Sequence, residues 1–137
     1  MSQTNGDLVR ETYEKFNRGD IPAVLATFAD DIEWHEPDWV IERGGTFHSS
    51  QDVLHNVFET VPRNWDSLRL VPSEILEAGD VVISRGKFVG RPKGSAQEIE
   101  VPFVHLFTIR DGKVVTGDAY IDVKELTRLD KTLRRVA

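Results

Sequence analysis

The chain contains no cysteine and a single methionine. Without thiols there is no disulfide framework, no thiolate nucleophile and no cysteine metal ligand. That usage is compatible with a reducing cytoplasm, which is the expected location. Positive charge is in the minority: 17 basic residues face 23 acidic ones, a net charge of −6. Nucleic acid and anionic membrane are therefore poor partners. The one locally basic patch, "GKFVGRPKG", reads as a solvated hairpin tip. No apolar run approaches membrane-spanning length, and the polar start "MSQTNGD" lacks the pattern of a signal peptide.

Chemical motifs are also scarce. No His-Glu-x-x-His occurs, and His35, His48, His55 and His105 lack metal-ligand spacing. There is no glycine-rich phosphate loop and no Gly-x-Ser-x-Gly elbow. Neither a metal nor a cofactor is expected. What remains is an ordinary soluble mixture, 39% hydrophobic and 29% charged over 137 residues, enough for one domain (1–137) with a real core.

Periodicity predicts the elements. Leu8, Val9, Thr12, Tyr13 and Phe16 form a helical stripe after Asn5-Gly6-Asp7, with Gly19 as the stop. Asp20 caps a second helix carrying Pro22 and an apolar face of Val24, Leu25 and Phe28. "DDIEWHEP" reads as a short strand ended by Pro37, and "DWVIERGGTFH" as an irregular loop. Ser49 opens a third helix with Asp52 as a capping partner; Val53, Leu54, Val57, Phe58 and Val61 line it, and Pro62 helps to end it. Four strands follow, "LRLVPSEILEA", "VVISRGKFVG", "EIEVPFVHLFTIR" and "KVVTGDAYIDV", with turns at Gly79-Asp80, "RPKGSA" and Asp111-Gly112. The tail from Lys124 reads as a short helix through Leu126, Leu129 and Leu133. The expected fold is α+β: three N-terminal helices wrapping a cone-shaped, curved antiparallel sheet, with a short C-terminal helix. Such a sheet encloses a small-molecule pocket.

Strand alternation selects the candidate site residues. Ile32, Trp34 and Glu36 share one face of their strand, Glu33 and His35 the other. Glu36 is thus carried inward with two apolar neighbours, where desolvation raises a carboxyl pKa and makes it a candidate acid or base. Alternatively it reaches solvent at the strand end beside Pro37. Phe103, His105, Phe107 and Ile109 share another face, and Val104 and Leu106 make the opposite face apolar too, so this strand is expected to be buried on both sides. His105 then is either a core histidine with one hydrogen bond or a pocket donor. Gly117, Ala119 and Ile121 leave space for a ligand on their face; Asp118, Tyr120 and Asp122 meet solvent or a partner. Arg85 and Lys87 share a face whose orientation alternation does not fix.

The segments "GDIPAVLATFADDIEWHEP", "GTFHSSQDVLHNVF", "VPFVHLFTIRDGKVV" and "AYID" resemble the SnoaL-like group of the nuclear transport factor 2-like superfamily. That group includes polyketide cyclases, ketosteroid isomerases and limonene epoxide hydrolases, and the resemblance spans roughly residues 7–127. It implies a proton-shuttling carboxylate at Glu36 and an acid–base or hydrogen-bonding group at His105. The isomerases' tyrosine donor on the first helix falls on Thr12, with Tyr13 one residue away. Arg85 matches the arginine of the epoxide hydrolases, but Lys87 and Ala119 stand where their two aspartates would be, which disfavours that activity. Phe16, Trp34, Phe58 and Phe107 are expected to form the apolar wall, beside Phe103, Ala119 and Ile121, with Trp39 at the mouth. The resemblance implies a cofactor-free isomerase or cyclase acting on a small hydrophobic carbonyl compound, or a non-catalytic binder of such a ligand. It also implies a homodimer formed through the sheet.

Overall fold

Helix α1 (Asn5–Asn17) begins earlier than the stripe alone indicates, because Thr4 and Asp7 form a reciprocal capping box. The Thr4 hydroxyl accepts from the Asp7 amide at 3.1 Å, so Asn5 to Asp7 lie inside the first turn. Gly6, Leu8, Val9, Thr12 and Tyr13 are its buried residues; Phe16, expected on the same stripe, is half-buried. The computed structural model describes residues 3–39, 42–122 and 124. The expected C-terminal helix through Leu126, Leu129 and Leu133 lies outside them.

Asp20 caps α2 (Ile21–Leu25), which carries Pro22 in its first turn. Phe28, expected on this helix, instead opens β1 (Phe28–Glu36). The Val114 amide donates to the Thr27 carbonyl at 2.9 Å and fixes the switch to strand. Phe28 then stacks on Trp34 with ring centroids 5.6 Å apart. The expected irregular loop contains β2 (Gly45–Phe47), paired antiparallel with the end of β1.

The third helix is not continuous. It consists of α3 (Ser50–Val53), a π turn (Leu54–Phe58) and α4 (Thr60–Asn64). The Glu59 amide donates to the Leu54 carbonyl at 2.9 Å, the i→i+5 bond that defines the wider turn. Pro62 therefore sits in the first turn of α4, where no intrahelical N–H is needed, and does not end the helix.

Strands β3 (Trp65–Ala78), β4 (Val81–Pro92), β5 (Ile99–Arg110) and β6 (Lys113–Ile121) form a meander in a six-stranded sheet ordered β2-β1-β6-β5-β4-β3. Asp111 and Gly112 both take positive φ, 51° and 73°, the geometry a tight hairpin needs. The sheet is mixed, not antiparallel throughout: β1 runs parallel to β6. Parallel neighbours need a long crossover, and here it comprises all the chain between them. Register shifts interrupt β1/β6, β3/β4 and β5/β6, which adds local twist and bend. One face of the sheet packs with the helices over a core that includes Val9, Ile32, Val82, Val101 and Ile109. Burial of β5 on both sides does not occur. Phe103, His105, Phe107 and Ile109 are buried, whereas Val104 is exposed and Leu106 only half-buried. No described element covers that outer face.

Candidate active site

Alternation along β1 delivers Glu36 to the interior side. Ile32 and Trp34 are buried there, while Glu33 and His35 are exposed. The Trp34 indole lies on Gly117, its cross-strand partner on β6. A Cβ at position 117 would collide with the six-membered ring of that indole, so glycine is required for close approach. The small face of β6 is thus filled by Trp34 and is not ligand space. Trp34 Nε1 donates to Glu36 Oε1 at 3.3 Å, two residues along the same face. Glu36 is partly exposed, and its open side faces a cavity. Burial raises its pKa to about 7, and the indoles of Trp34 and Trp39 offset part of that rise. A carboxyl with that value divides between acid and base at neutral pH.

His105 enters the same cavity from the middle of β5. Its ring is wedged between Phe103 and Phe107, with centroids 4.4 and 5.3 Å away. Burial lowers its pKa to about 3, so the imidazole is neutral in ordinary buffers. Nδ1 lies 2.7 Å from the Tyr13 hydroxyl. Burial pushes the Tyr13 phenol upward, and it keeps its proton. With the phenol as donor, Nδ1 accepts and the imidazole proton sits on Nε2, which has no hydrogen-bond partner among the described residues. Ser84, opposite His105 across β4/β5, sits beside the phenol and offsets part of the burial effect. Its Oγ is buried without a bonded partner among the described residues.

The cavity measures about 700 Å³ including its open mouth. Phe16, Trp39 and Phe58 line it as the sequence indicates, together with Glu36 and His105. Sequence reasoning missed Phe88, Trp65, Leu68 and Leu70 on its walls, and Glu42, Arg43 and Asn64 among its lining residues. Glu42 accepts from Arg63 Nε at 3.1 Å and from Asn64 Nδ2 at 2.9 Å, tying the loop after β1 to α4. The π turn contributes Asn56, Val57 and Phe58. Among the described residues no ion pair joins Glu36 to His105.

Other candidates fall elsewhere. Thr12, Tyr13 and Phe107 line a second void, and the Thr12 hydroxyl is occupied by the Leu8 carbonyl at 2.7 Å. Trp34 and Phe103 do not line the cavity; Trp34 donates to Glu36, and Phe103 packs on His105. Ala119 is buried opposite His105, and Ile121 packs against the core edge. Arg85 does not line this cavity: it points out of the sheet and pairs with Glu74 at 2.9 Å. Lys87, on the same outer face, pairs with Glu100 at 2.8 Å. No described helix is long and apolar enough to cross a membrane.

Residues 9–116 match the model of the SnoaL-like domain, and the chain belongs to that family. It is similar to an NTF2-like protein of unknown function from Burkholderia pseudomallei, with 32% identity over 93% of this chain and 98% of that one, at a TM-score of 0.81. It is also similar to TerC, co-crystallised with polyporic acid: 25% identity, 91% and 96% coverage, TM-score 0.79. IdmH from Streptomyces antibioticus, provisionally described as a polyketide cyclase, shares the fold at 21% identity, 92% and 97% coverage and a TM-score of 0.79. No curated protein matches the chain.

Proposed function

We propose that this protein is a cofactor-free enzyme that isomerises or cyclises a small hydrophobic carbonyl compound by acid–base chemistry. The observation that carries this reading is the pair Glu36 and His105, open to one apolar cavity and not neutralising each other. The Glu36 carboxylate removes a proton from the carbon next to the substrate carbonyl. The C–H electron pair becomes the enolate, and the Nε2–H of neutral His105 donates to its oxygen. Glu36 then returns the proton at another carbon, or the enolate carbon attacks a second carbonyl of the same molecule, whose C=O pair moves onto oxygen and takes the proton back from Glu36. His105 acts as a neutral donor and not as a proton shuttle, because its low pKa leaves almost no imidazolium. A positioned base and a preorganised donor contribute a few kcal/mol each to lowering such a barrier.

The test is Glu36→Gln, which keeps the shape and removes the base. Exchange of the α-hydrogens of a bound ketone for deuterium, followed by NMR in heavy water, is expected to fall about 10²- to 10⁴-fold with binding retained. Wild-type exchange should rise with pH through about 7, as Glu36 ionises. Exchange unaltered in the variant sinks the mechanism. The apolar walls also fit a second reading, a non-catalytic holder of an apolar ligand, for which wild-type protein binds ketones without exchanging their α-hydrogens.

The proposed assembly is a homodimer through the outer sheet face. Exposed Leu76, Val104 and Tyr120 support it, and mass in solution checks it. A cytoplasmic location completes the reading.

A further inference from the structure

The loop between β1 and β2 brings Arg43 to the rim of the main cavity, where it is the only lysine or arginine among the described lining residues. The loop is anchored on both sides of it. Before it, Trp39 and Glu42 exchange backbone hydrogen bonds of 2.8 and 3.1 Å, and Arg63 and Asn64 donate to the Glu42 carboxylate. After it, the Gly44 amide donates to Asp38 Oδ1 at 2.8 Å, and Gly45 pairs with Glu36. Gly44 itself lies against the backbone of Glu36 and Pro37, where a Cβ would collide. Arg43 is therefore fixed beside the strand end that carries Glu36.

Its neighbours on the rim are already engaged. Glu42 accepts from α4, Asn56 Nδ2 donates to the Asp52 carbonyl, and the Thr60 hydroxyl donates to the Val57 carbonyl. The Arg43 guanidinium has no ion pair among the described residues. It does not neutralise Glu36 either, whose raised pKa reflects burial, offset only by the two indoles. The cavity thus has two polar ends, a carboxyl and an imidazole inside and a cation at the rim, within apolar walls.

We infer that Arg43 is a carboxylate-binding residue, and that the ligand is a carbonyl compound bearing a carboxylate at the end remote from its carbonyl. A guanidinium presents parallel N–H donors that match the two oxygens of a carboxylate. At an open rim the ligand's anion keeps part of its hydration, so the pair forms without the cost of full burial. The carbonyl head remains between Glu36 and His105, so the inference rests on the functional reading above. The pair decides which end of the ligand enters. Arg43 holds the anion at the rim, Glu36 repels it from the interior, and the carbon next to the carbonyl is directed inward.

The experiment compares straight-chain keto acids, from 4-oxopentanoate to 7-oxooctanoate, each with its own amide, which keeps the shape and loses the charge. Binding is followed at low ionic strength by the fluorescence of Trp39 and Trp65, which line the main cavity. The wild type should bind at least one acid about fivefold more tightly than its amide, and added salt should shrink that preference. Arg43→Gln should bring the acid to within about twofold of the amide, and Arg43→Glu should make the amide the tighter ligand. Arg43 is exposed, so both variants are expected to fold. No preference for the acids, or a preference that survives Arg43→Gln, overturns the carboxylate site. Exchange of the hydrogens next to the ketone in the bound amides then leaves the acid–base reading standing. Arg43-dependent binding of the acids without exchange supports the carboxylate site and overturns the catalytic reading. Failure of every acid and amide to bind overturns both.

Discussion

The two faces of the sheet treat charge in opposite ways. Outside, Arg85 pairs with Glu74 and Lys87 with Glu100, all in contact with water. Inside, Glu36 and His105 have no ionic partner among the described residues, and burial displaces their pKa values in opposite directions, to about 7 and about 3. The outer pairs are ordinary surface contacts worth little to stability. The inner groups cost the fold something, and such placement is what makes them candidates for function. The difference lies not in residue type but in whether solvent or an opposite charge is allowed to reach the group.

The comparison can be broken or sharpened by substitution, beginning with the largest effect, the loss of α-hydrogen exchange in Glu36→Gln. Next is Gly117→Ala, whose methyl would intrude on the Trp34 ring. It should destabilise the protein by about 1–3 kcal/mol in urea unfolding and displace Glu36 with Trp34. A loss much below that range means Trp34 repacks freely. Third, Glu36 should make the wild type less stable as pH rises. Its folded pKa, about 7, is above the ordinary carboxyl value, so the folded state holds the proton more tightly. Unfolding free energy then falls between the two values as pH increases. Glu36→Gln removes this loss and should be about 1–2 kcal/mol more stable relative to wild type at pH 8 than at pH 4, less than the full shift implies because the carboxyl is open to the cavity. His105 has the opposite sign. Its depressed pKa withdraws stability as pH falls below the ordinary imidazole value toward about 3. Smallest is Lys87→Ala, expected to change stability by less than about 1 kcal/mol and to leave exchange intact. A larger effect would give the outer face a role beyond solvation, such as the proposed dimer contact.

The sequence made one side of the site readable and hid the other. Period-two alternation brought Glu36 in with Ile32 and Trp34, and His105 in with Phe103 and Phe107, because β1 and β5 each bury one regular face. The same rule left the face of Arg85 open. The inner face of β4 has Ser84 and Gly86 between the buried Val82 and Phe88, small residues that break the apolar pattern, while Val104 and Leu106 made the outer face of β5 look buried. The lining contributed by Glu42, Arg43 and Asn64 depends on how a loop meets a broken helix, and no periodicity encodes that. The π turn had no legible signal either, since Leu54 to Phe58 fit an ordinary helical stripe. The parallel partner of β1 was hidden because pairing over so long a separation leaves no local trace. The glycine that admits Trp34 was visible at position 117 but was read as room for a ligand.

That parallel pairing has a kinetic consequence. Strands β3 to β6 are joined by local hairpins, whereas Trp34 meets Gly117 only after most of the chain has been brought back on itself. Contacts between residues so far apart in sequence carry a high loop-closure cost and tend to form late. Glu36 is held by the first long strand, and the Gly117 seat of its neighbour Trp34 by the last. The meander can therefore collapse around His105 before Glu36 arrives, and the meeting of these two side chains at one cavity should be among the last features the folding chain acquires.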